Sequence, residues 1–232
     1  MASRPSGAAG GSGGDAAAGE PESIFIHDLG LDARHVAGAD EAGRGCLAGP
    51  IVAAAVIFDR DCLESRGSGQ LEGLRDSKKL TALARQRLYP SILACALRVS
   101  IAMRSARYID AHGLHRSNIE CLSEALAGLE VDGSTVTPLR LVDGFQLHDC
   151  DLQHRKLIRG DSTSAAVAAA SVIAKVTRDR CMERAGDRYP GYGFEGHKGY
   201  ASAAHRDAIV SLGPSPIHRM SFDSPAYRRA AA

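Results

Sequence analysis

The chain reads as a mixed α/β protein whose sheet strands lie mostly in its first half. Three observations predict this. Residues Pro50–Phe58 form an unbroken apolar run of Val, Ala and Ile, the pattern of a strand buried on both faces. Short apolar segments alternate with stretches of helical pattern from His35 to Leu212. A long segment from Thr163 to about Ala185 has helical character, and its Ala165–Ala170 stretch permits close packing against a neighbour.

The elements follow in order. Met1 to about Pro21 is Gly, Ala and Ser with little to bury, so it reads as a flexible tail, and the folded domain begins between Ser23 and His35. His35–Glu41 and Pro50–Phe58 are the first strands, and Arg66–Lys79 is a polar loop. Thr81 caps a helix to about Ala94, and Ala96–Met103 returns as a strand. Ser117 or Asn118 starts a helix to about Leu129; Arg140–Val142 and Lys156–Ile158 are short strands. Ser162 caps the long helix, Tyr189–Tyr200 is a Gly/Tyr-rich segment, and a last helix lies near Ser202–Leu212.

Composition excludes several classes. No apolar run approaches the roughly 20 residues of a membrane span, and the N-terminus lacks a basic region followed by an apolar stretch. Cysteines stand at 46, 62, 95, 121, 150 and 181 without a C-x-x-C pair, which suits a reducing cytoplasm better than a disulfide framework or a zinc knuckle. Net charge is only +1, yet residues 155–229 hold 13 Lys/Arg against 7 Asp/Glu. A basic C-terminal third beside an acidic body suits a phosphate-binding face, although a solvated helix face gives the same excess.

The most informative segment is Ala39-Asp40-Glu41-Ala42-Gly43-Arg44-Gly45. Two adjacent carboxylates end an apolar strand, and burying two like charges is costly unless a cation neutralises them. Hard divalent ions take oxygen ligands of this kind. Asp143 and Asp161, each beside a glycine, stand at two further strand or strand-loop ends and could meet the first pair at one sheet edge. Such a cluster suits a two-metal site for phosphoryl displacement. Neighbours on a regular strand point to opposite faces, so a shared site for Asp40 and Glu41 requires the backbone to depart from regular geometry, near Gly43. Gly43, Gly45 and Gly49 do not make a dinucleotide fingerprint, because the third glycine is one place late and Pro50 leads into a strand. Asp179 lies 18 positions after Asp161 on a helix, roughly 27 Å away, and reads as an i,i+4 partner of Lys175. His205 and His218 read as capping or packing residues.

These motifs resemble a family. Asp40-Glu41-Ala42-Gly43-Arg44-Gly45-Cys46-Leu47-Ala48-Gly49-Pro50 is similar to the signature of bacterial ribonuclease HII, the type 2 ribonuclease H. Asp76-Ser77-Lys78-Lys79-Leu80, Val142-Asp143-Gly144, Gly160-Asp161 and Ala168–Asp179 resemble its later motifs, as do His197-Lys198-Gly199-Tyr200 and His218-Arg219-Met220-Ser221-Phe222. The resemblance implies an RNase H-like fold: a central mixed β-sheet flanked by helices, with a helical C-terminal extension. It implies a tail over 1–32, a catalytic domain over 33–224 and a tail over 225–232. Asp40, Glu41, Asp143 and Asp161 become the catalytic metal-binding carboxylates for Mg²⁺ or Mn²⁺. Gly43, Arg44 and Gly45 become the loop that reads the ribose 2′-OH, and Tyr200 the ring that stacks on a neighbouring sugar. The implied partners are RNA–DNA hybrids and ribonucleotide-containing duplex DNA, with no membrane, and the implied state is a monomer. The chain departs from the family where Gly-Tyr-Gly-Thr is replaced by Gly199-Tyr200-Ala201-Ser202. Competing readings are a DNA exonuclease or junction resolvase of the same metal chemistry, and a hybrid-binding module that does not cut.

Overall fold

Strand β1 (His35–Ala42) is the centre of a five-stranded mixed sheet in a computed structural model that describes residues 21–66, 69–130, 136–148 and 150–230. Strand β2 (Ile51–Asp59) pairs antiparallel with β1, and β3 (Arg98–Arg104) antiparallel with β2. On the other side β4 (Leu139–Asp143) runs parallel to β1, and β5 (Arg155–Leu157) parallel to β4, giving the order β3-β2-β1-β4-β5. Residues Ile51–Phe58 of β2 are all buried, which is why that strand shows no alternation in sequence.

Nine helices surround the sheet among the described residues: α1 (Pro21–Leu29), α2 (Arg60–Ser65), α3 (Ala82–Cys95), α4 (Ala106–His112), α5 (Leu114–Ala127), α6 (Ala165–Arg188), α7 (Phe194–His197), α8 (Ala203–Leu212) and α9 (Pro225–Ala230). Helix α6 packs on one face with Val36, Ala54, Val56 and Phe58. Helix α5 packs on the other with Ala37, Ala39, Ala53 and Ala55. The α6 contact reaches backbone distance. A Cβ on Gly38 would stand 2.2 Å from the carbonyl carbon of Ala166, so only glycine fits there. No helix among the described residues is long and apolar enough to cross a membrane.

Several expectations are corrected. The tail assigned to 1–32 contains α1, whose Ile24 and Phe25 are buried in the core; residues 1–20 lie outside the described ones. The tail assigned to 225–232 contains α9, where Ala226 is buried and Tyr227 donates its hydroxyl hydrogen to the Leu47 carbonyl at 3.0 Å. Two or three apolar residues in a short segment give no readable period, yet they suffice to dock it once a core exists. Helix α5 starts at Leu114, so Ser117 and Asn118 are buried interior positions and not caps. Helix α4, just before it, had no counterpart in the sequence reading. The cap of α6 is Ser164, since Gly160–Ser162 closes a 3-10 turn first.

Asp28 of α1 explains why that helix is part of the domain. Its buried carboxylate accepts hydrogen bonds from the Ser164 hydroxyl at 2.9 Å and from the Ala166 amide at 3.0 Å. The Ala166 amide is one of the orphan N–H groups of the α6 first turn, and a negative charge there complements the helix dipole. Asp28→Ala should therefore lower unfolding free energy by about 1–3 kcal/mol, because two buried donors lose their acceptor. Urea denaturation midpoints check this; an unchanged midpoint would show that α1 contributes nothing to α6.

Candidate active site

Asp40 and Glu41 lie on β1 just beyond the point where its pairing with β4 ends. The β1–β2 register runs unbroken through Ala42↔Val52, so the expected departure from strand geometry is absent. Pairing with β4 stops at Ala39↔Val142. Beyond that point the β1 edge is free, and side chains from either face of the strand can turn into one cleft. Both carboxylates line a cavity of about 210 Å³ together with Asp143, Lys78, Ser171, Lys175 and Tyr200. Asp40 faces Ser171 of α6, while Glu41 lies beside Asn118 of α5. A larger groove of about 720 Å³ lies between β3–α4 and the far half of α6, but no carboxylate lines it.

Asp143 ends β4 and accepts a hydrogen bond from the Gly160 amide at 2.6 Å. Asp161 sits one residue later, buried on the 3-10 turn after β5 and not at the strand end itself. Its Oδ2 accepts from the Lys78 ammonium at 3.0 Å. Neither Lys78 nor Ser171 carries a local sequence signal for its place here. Asp76 holds Lys78 by capping its 3-10 turn, and the Ser77 hydroxyl meets that of Ser171 at 2.6 Å, docking the turn on α6. Asp179 pairs with Lys175 at 2.8 Å as expected.

Electrostatically the cleft is a concentration of unneutralised acid. Burial raises the Asp40 pKa well above its ordinary value, and the charges of Glu41 and Asp143 add to the effect. Burial, then Asp143, pushes Glu41 to about 7. Asp143 is raised by burial and by Asp161, against the Gly160 amide. Burial pulls the Lys78 pKa down, but the hydrogen bond and charge of Asp161 outweigh it, so the net shift is upward. Glu41 Oε2 is buried without a hydrogen-bond partner, and Asn118 beside it closes no hydrogen bond of good geometry. Among the described residues, no group of three or more His, Cys, Asp or Glu side chains is placed to hold a metal ion as it stands. An all-oxygen donor set, repelling charges and an orphaned oxygen fit a hard divalent cation.

The remaining site residues flank this cleft. Gly43 has φ +93°, and a Cβ on it would stand 1.9 Å from Nε of Arg178, so its glycine is demanded from within. Gly45 is exposed, and a Cβ there would meet nothing within 4 Å. Arg44 is exposed with its guanidinium 4.9 Å from the Phe145 ring centroid, and among the described residues it makes no ion pair. The Tyr200 ring is 45% exposed and lies 5.4 Å from the Lys175 ammonium. The departure at Ala201-Ser202 keeps a helix cap, because the Ser202 hydroxyl accepts from the His205 amide at 3.1 Å at the start of α8. Behind Tyr200, His205 Nδ1–H donates to the Tyr200 carbonyl at 2.9 Å, leaving its Nε2 to accept from His218 Nε2–H at 3.0 Å. His218 Nδ1 in turn accepts from the Ser215 amide. Burial holds both imidazoles near pKa 4, so they are neutral packing groups, as expected.

A family model described as Ribonuclease HII matches residues 37–224. The chain belongs to the ribonuclease HII family. The ribonuclease HII of Brucella suis is 48% identical over 192 residues, 82% of this chain and 82% of its own. Ribonuclease H2 from Pyrococcus horikoshii OT3 superimposes with TM-score 0.66 at 26% identity, covering 84% of this chain and 96% of that one. Bst-RNase HIII, in a structure in complex with Mn²⁺, shares the fold with TM-score 0.71 at 22% identity over 91% of this chain and 73% of its own. The expected RNase H-like α/β fold is thereby borne out. As a ribonuclease HII, the chain is a metal-dependent endoribonuclease of a family that cleaves RNA in RNA–DNA hybrids.

The raised Glu41 pKa carries a stability consequence. Between the unfolded value near 4.5 and the folded value of about 7, the folded state binds the extra proton, so this group's contribution is present at low pH and lost as pH rises through 7. Glu41→Gln should therefore stabilise the metal-free protein at pH 8 by on the order of 1–3 kcal/mol, with the gain vanishing by about pH 4. The histidines titrate alike in both proteins and cancel in the difference. Melting curves of both across that range check it, and a destabilised variant at pH 8 would contradict the unneutralised cleft.

Proposed function

We propose that this chain hydrolyses the RNA strand of RNA–DNA hybrids and cuts at ribonucleotides embedded in duplex DNA, leaving 5′-phosphate and 3′-hydroxyl ends. The observation that carries this reading is the convergence of Asp40, Glu41 and Asp143 in one cleft that Gly45 and Tyr200 also line, with Asp161 beside it. Two divalent ions, Mg²⁺ or Mn²⁺, would supply Lewis acidity to the attacking water and the departing 3′ oxygen. Asp40, Glu41, Asp143 and Asp161 would hold them, since their mutual repulsion is relieved by positive charge.

Protein groups provide the rest. Lys78 neutralises Asp161 in the free protein and is exposed enough to turn to a backbone phosphate instead. Arg44, unpaired among the described residues, suits a forked contact with phosphate. The 2′-OH both donates and accepts, and it marks a ribonucleotide in an otherwise uniform backbone. The exposed backbone at Gly45 lets main chain approach a sugar where any side chain would intervene, and the half-exposed Tyr200 ring offers a flat face for the adjoining one. Lys175 lies beneath that ring. The acting form is a monomer in the cytoplasm, consistent with six free cysteines.

A DNA nuclease or resolvase of the same chemistry would gain nothing from the open glycine at 45, and a non-cutting hybrid binder would gain nothing from four clustered acids. Two variants test the assignment. Asp143→Asn is near-isosteric and keeps the acceptor for Gly160, so the fold persists while cleavage falls at least about a hundredfold; wild-type rates in Mg²⁺ would remove Asp143 from the site. Gly45→Ala meets no clash within the protein, so its melting temperature should stay unchanged. Its single-turnover cleavage of a duplex with one ribonucleotide should nonetheless fall by on the order of tenfold or more, through displacement of the sugar. Full activity in Gly45→Ala would take the ribose contact away from this loop.

A further inference from the structure

Arg178 and Arg219 are the two largest side chains buried to completion, each 0% exposed. Burying a guanidinium is costly, and such groups ordinarily meet a carboxylate. Neither does so here among the described residues. All six of their side-chain hydrogen bonds go to main-chain carbonyls. Arg178 donates from Nε to Pro50 at 2.9 Å, from Nη1 to Lys198 at 2.9 Å and from Nη2 to Ala48 at 3.1 Å. Arg219 donates from Nε and Nη2 to Gly49 at 3.0 and 2.9 Å, and from Nη1 to Arg44 at 2.9 Å. Burial lowers Arg219 to about 10, which leaves it charged at neutral pH.

The recipients belong to two segments of the cleft. One is the loop 44–50 that follows Asp40 and Glu41, and the other is the turn leading into Tyr200. These segments are also joined through Leu47 and Gly199, and the loop is tied to residues 217–219. The Leu47 amide donates to the Gly199 carbonyl at 2.9 Å, the Gly49 amide to Ile217 at 2.9 Å and the Arg219 amide to Leu47 at 2.8 Å. Gly43 leaves the room that Arg178 fills, and the Arg178 guanidinium lies 5.8 Å from the Tyr200 ring centroid.

We propose that Arg178 and Arg219 are positioning residues for ribose selection, a pair of buried cations that hold the Gly43–Gly45 loop and the Tyr200 ring at one fixed separation. The proposal rests on assigning that loop and ring to the sugar. A planar fork with five donors can hold several carbonyls at set distances and angles, whereas the point charge of lysine cannot. Neither arginine reaches the cavity, so their effect passes through Arg44, Gly49 and Lys198 carbonyls.

Arg178→Lys and Arg219→Lys keep the charge and remove the fork, and each is measured for single-turnover cleavage of a duplex with one ribonucleotide. The expected result is a rate loss on the order of a hundredfold, from ångström-scale misplacement. Duplex affinity should change little, because phosphate contacts carry most of it. The rise in melting temperature on adding Mn²⁺ should match the wild type, since the carboxylates are untouched. Because Arg178 acts through the Tyr200 turn, Arg178→Lys combined with Tyr200→Ala should be no slower than the slower single variant. Additive losses, or wild-type rates in both lysine variants while Tyr200→Ala is slow, overturn the positioning role and leave the ribose assignment standing. Wild-type rates in Tyr200→Ala overturn that assignment itself, and the positioning role with it. Should the lysine variants fail to fold, hydrogen exchange on the wild-type protein decides. The Leu47, Gly49 and Arg219 amides should exchange as slowly as those of β1, and fast exchange at these sites overturns the proposal.

Discussion

Helix α6 rests on β1 at a distance that leaves no room for a side chain at Gly38, where the Ala166 backbone occupies the place a Cβ would take. Its 24 residues, about 36 Å of helix, then pass beneath the Asp40 side of the cleft, Tyr200 and the 44–50 loop. Ser171 meets the Asp40 and Ser77 sides, Lys175 lies under Tyr200, Arg178 holds the 44–50 loop, and Met182 fills the space that Gly49 leaves open. Raising α6 by the width of one methyl group would separate these contacts together. The run of small residues at Ala165–Ala170, all fully buried, is the sequence counterpart of that close approach.

The second constraint is charge. Four acids gather where β1 and β4 part, and against them stand the Lys78 ammonium on Asp161 and the charge of Arg44 near Glu41. Hydrophobic packing of α5 and α6 on the two sheet faces is what holds the repelling groups together, and the buried Glu41 Oε2 has no hydrogen-bond partner among the described residues. Stability is thus set against the proposed metal-binding role of Glu41. Nearby, the opposite problem is solved with carbonyl dipoles, which surround two arginines that have no acid partner among the described residues.

Much of this was legible in the sequence where a local pattern carries the information. The apolar run at 50–58 can only be a strand buried on both faces, and adjacent acids ahead of a Gly-Arg-Gly turn suggest a cation. Asp143 ends its strand as expected, whereas Asp161 lies on a 3-10 turn beyond β5 that no local pattern marks. Helix α1 was not legible, because its docking rests on Ile24, Phe25 and a single carboxylate that meets α6 some 138 positions later. The shared cleft of Asp40 and Glu41 was expected to need a backbone distortion, whereas the end of β4 pairing accomplishes it without one. Arg178 and Arg219 look like any surface arginine in sequence, since burial is a property of the packed chain and not of the residue. Lys78 likewise has no local signal that would direct it to Asp161.

The carboxylate cleft is proposed to cut beside a 2′-hydroxyl, and only with a divalent ion. Two end-labelled duplexes of identical sequence, one all DNA and one with a single ribonucleotide, test it when incubated with the full chain in Mg²⁺ and in EDTA. The predicted result is cleavage of the ribonucleotide duplex in Mg²⁺ alone, with a 3′-hydroxyl and a 5′-phosphate at the break. Equal cutting of the all-DNA duplex, or cutting that persists in EDTA, would contradict it.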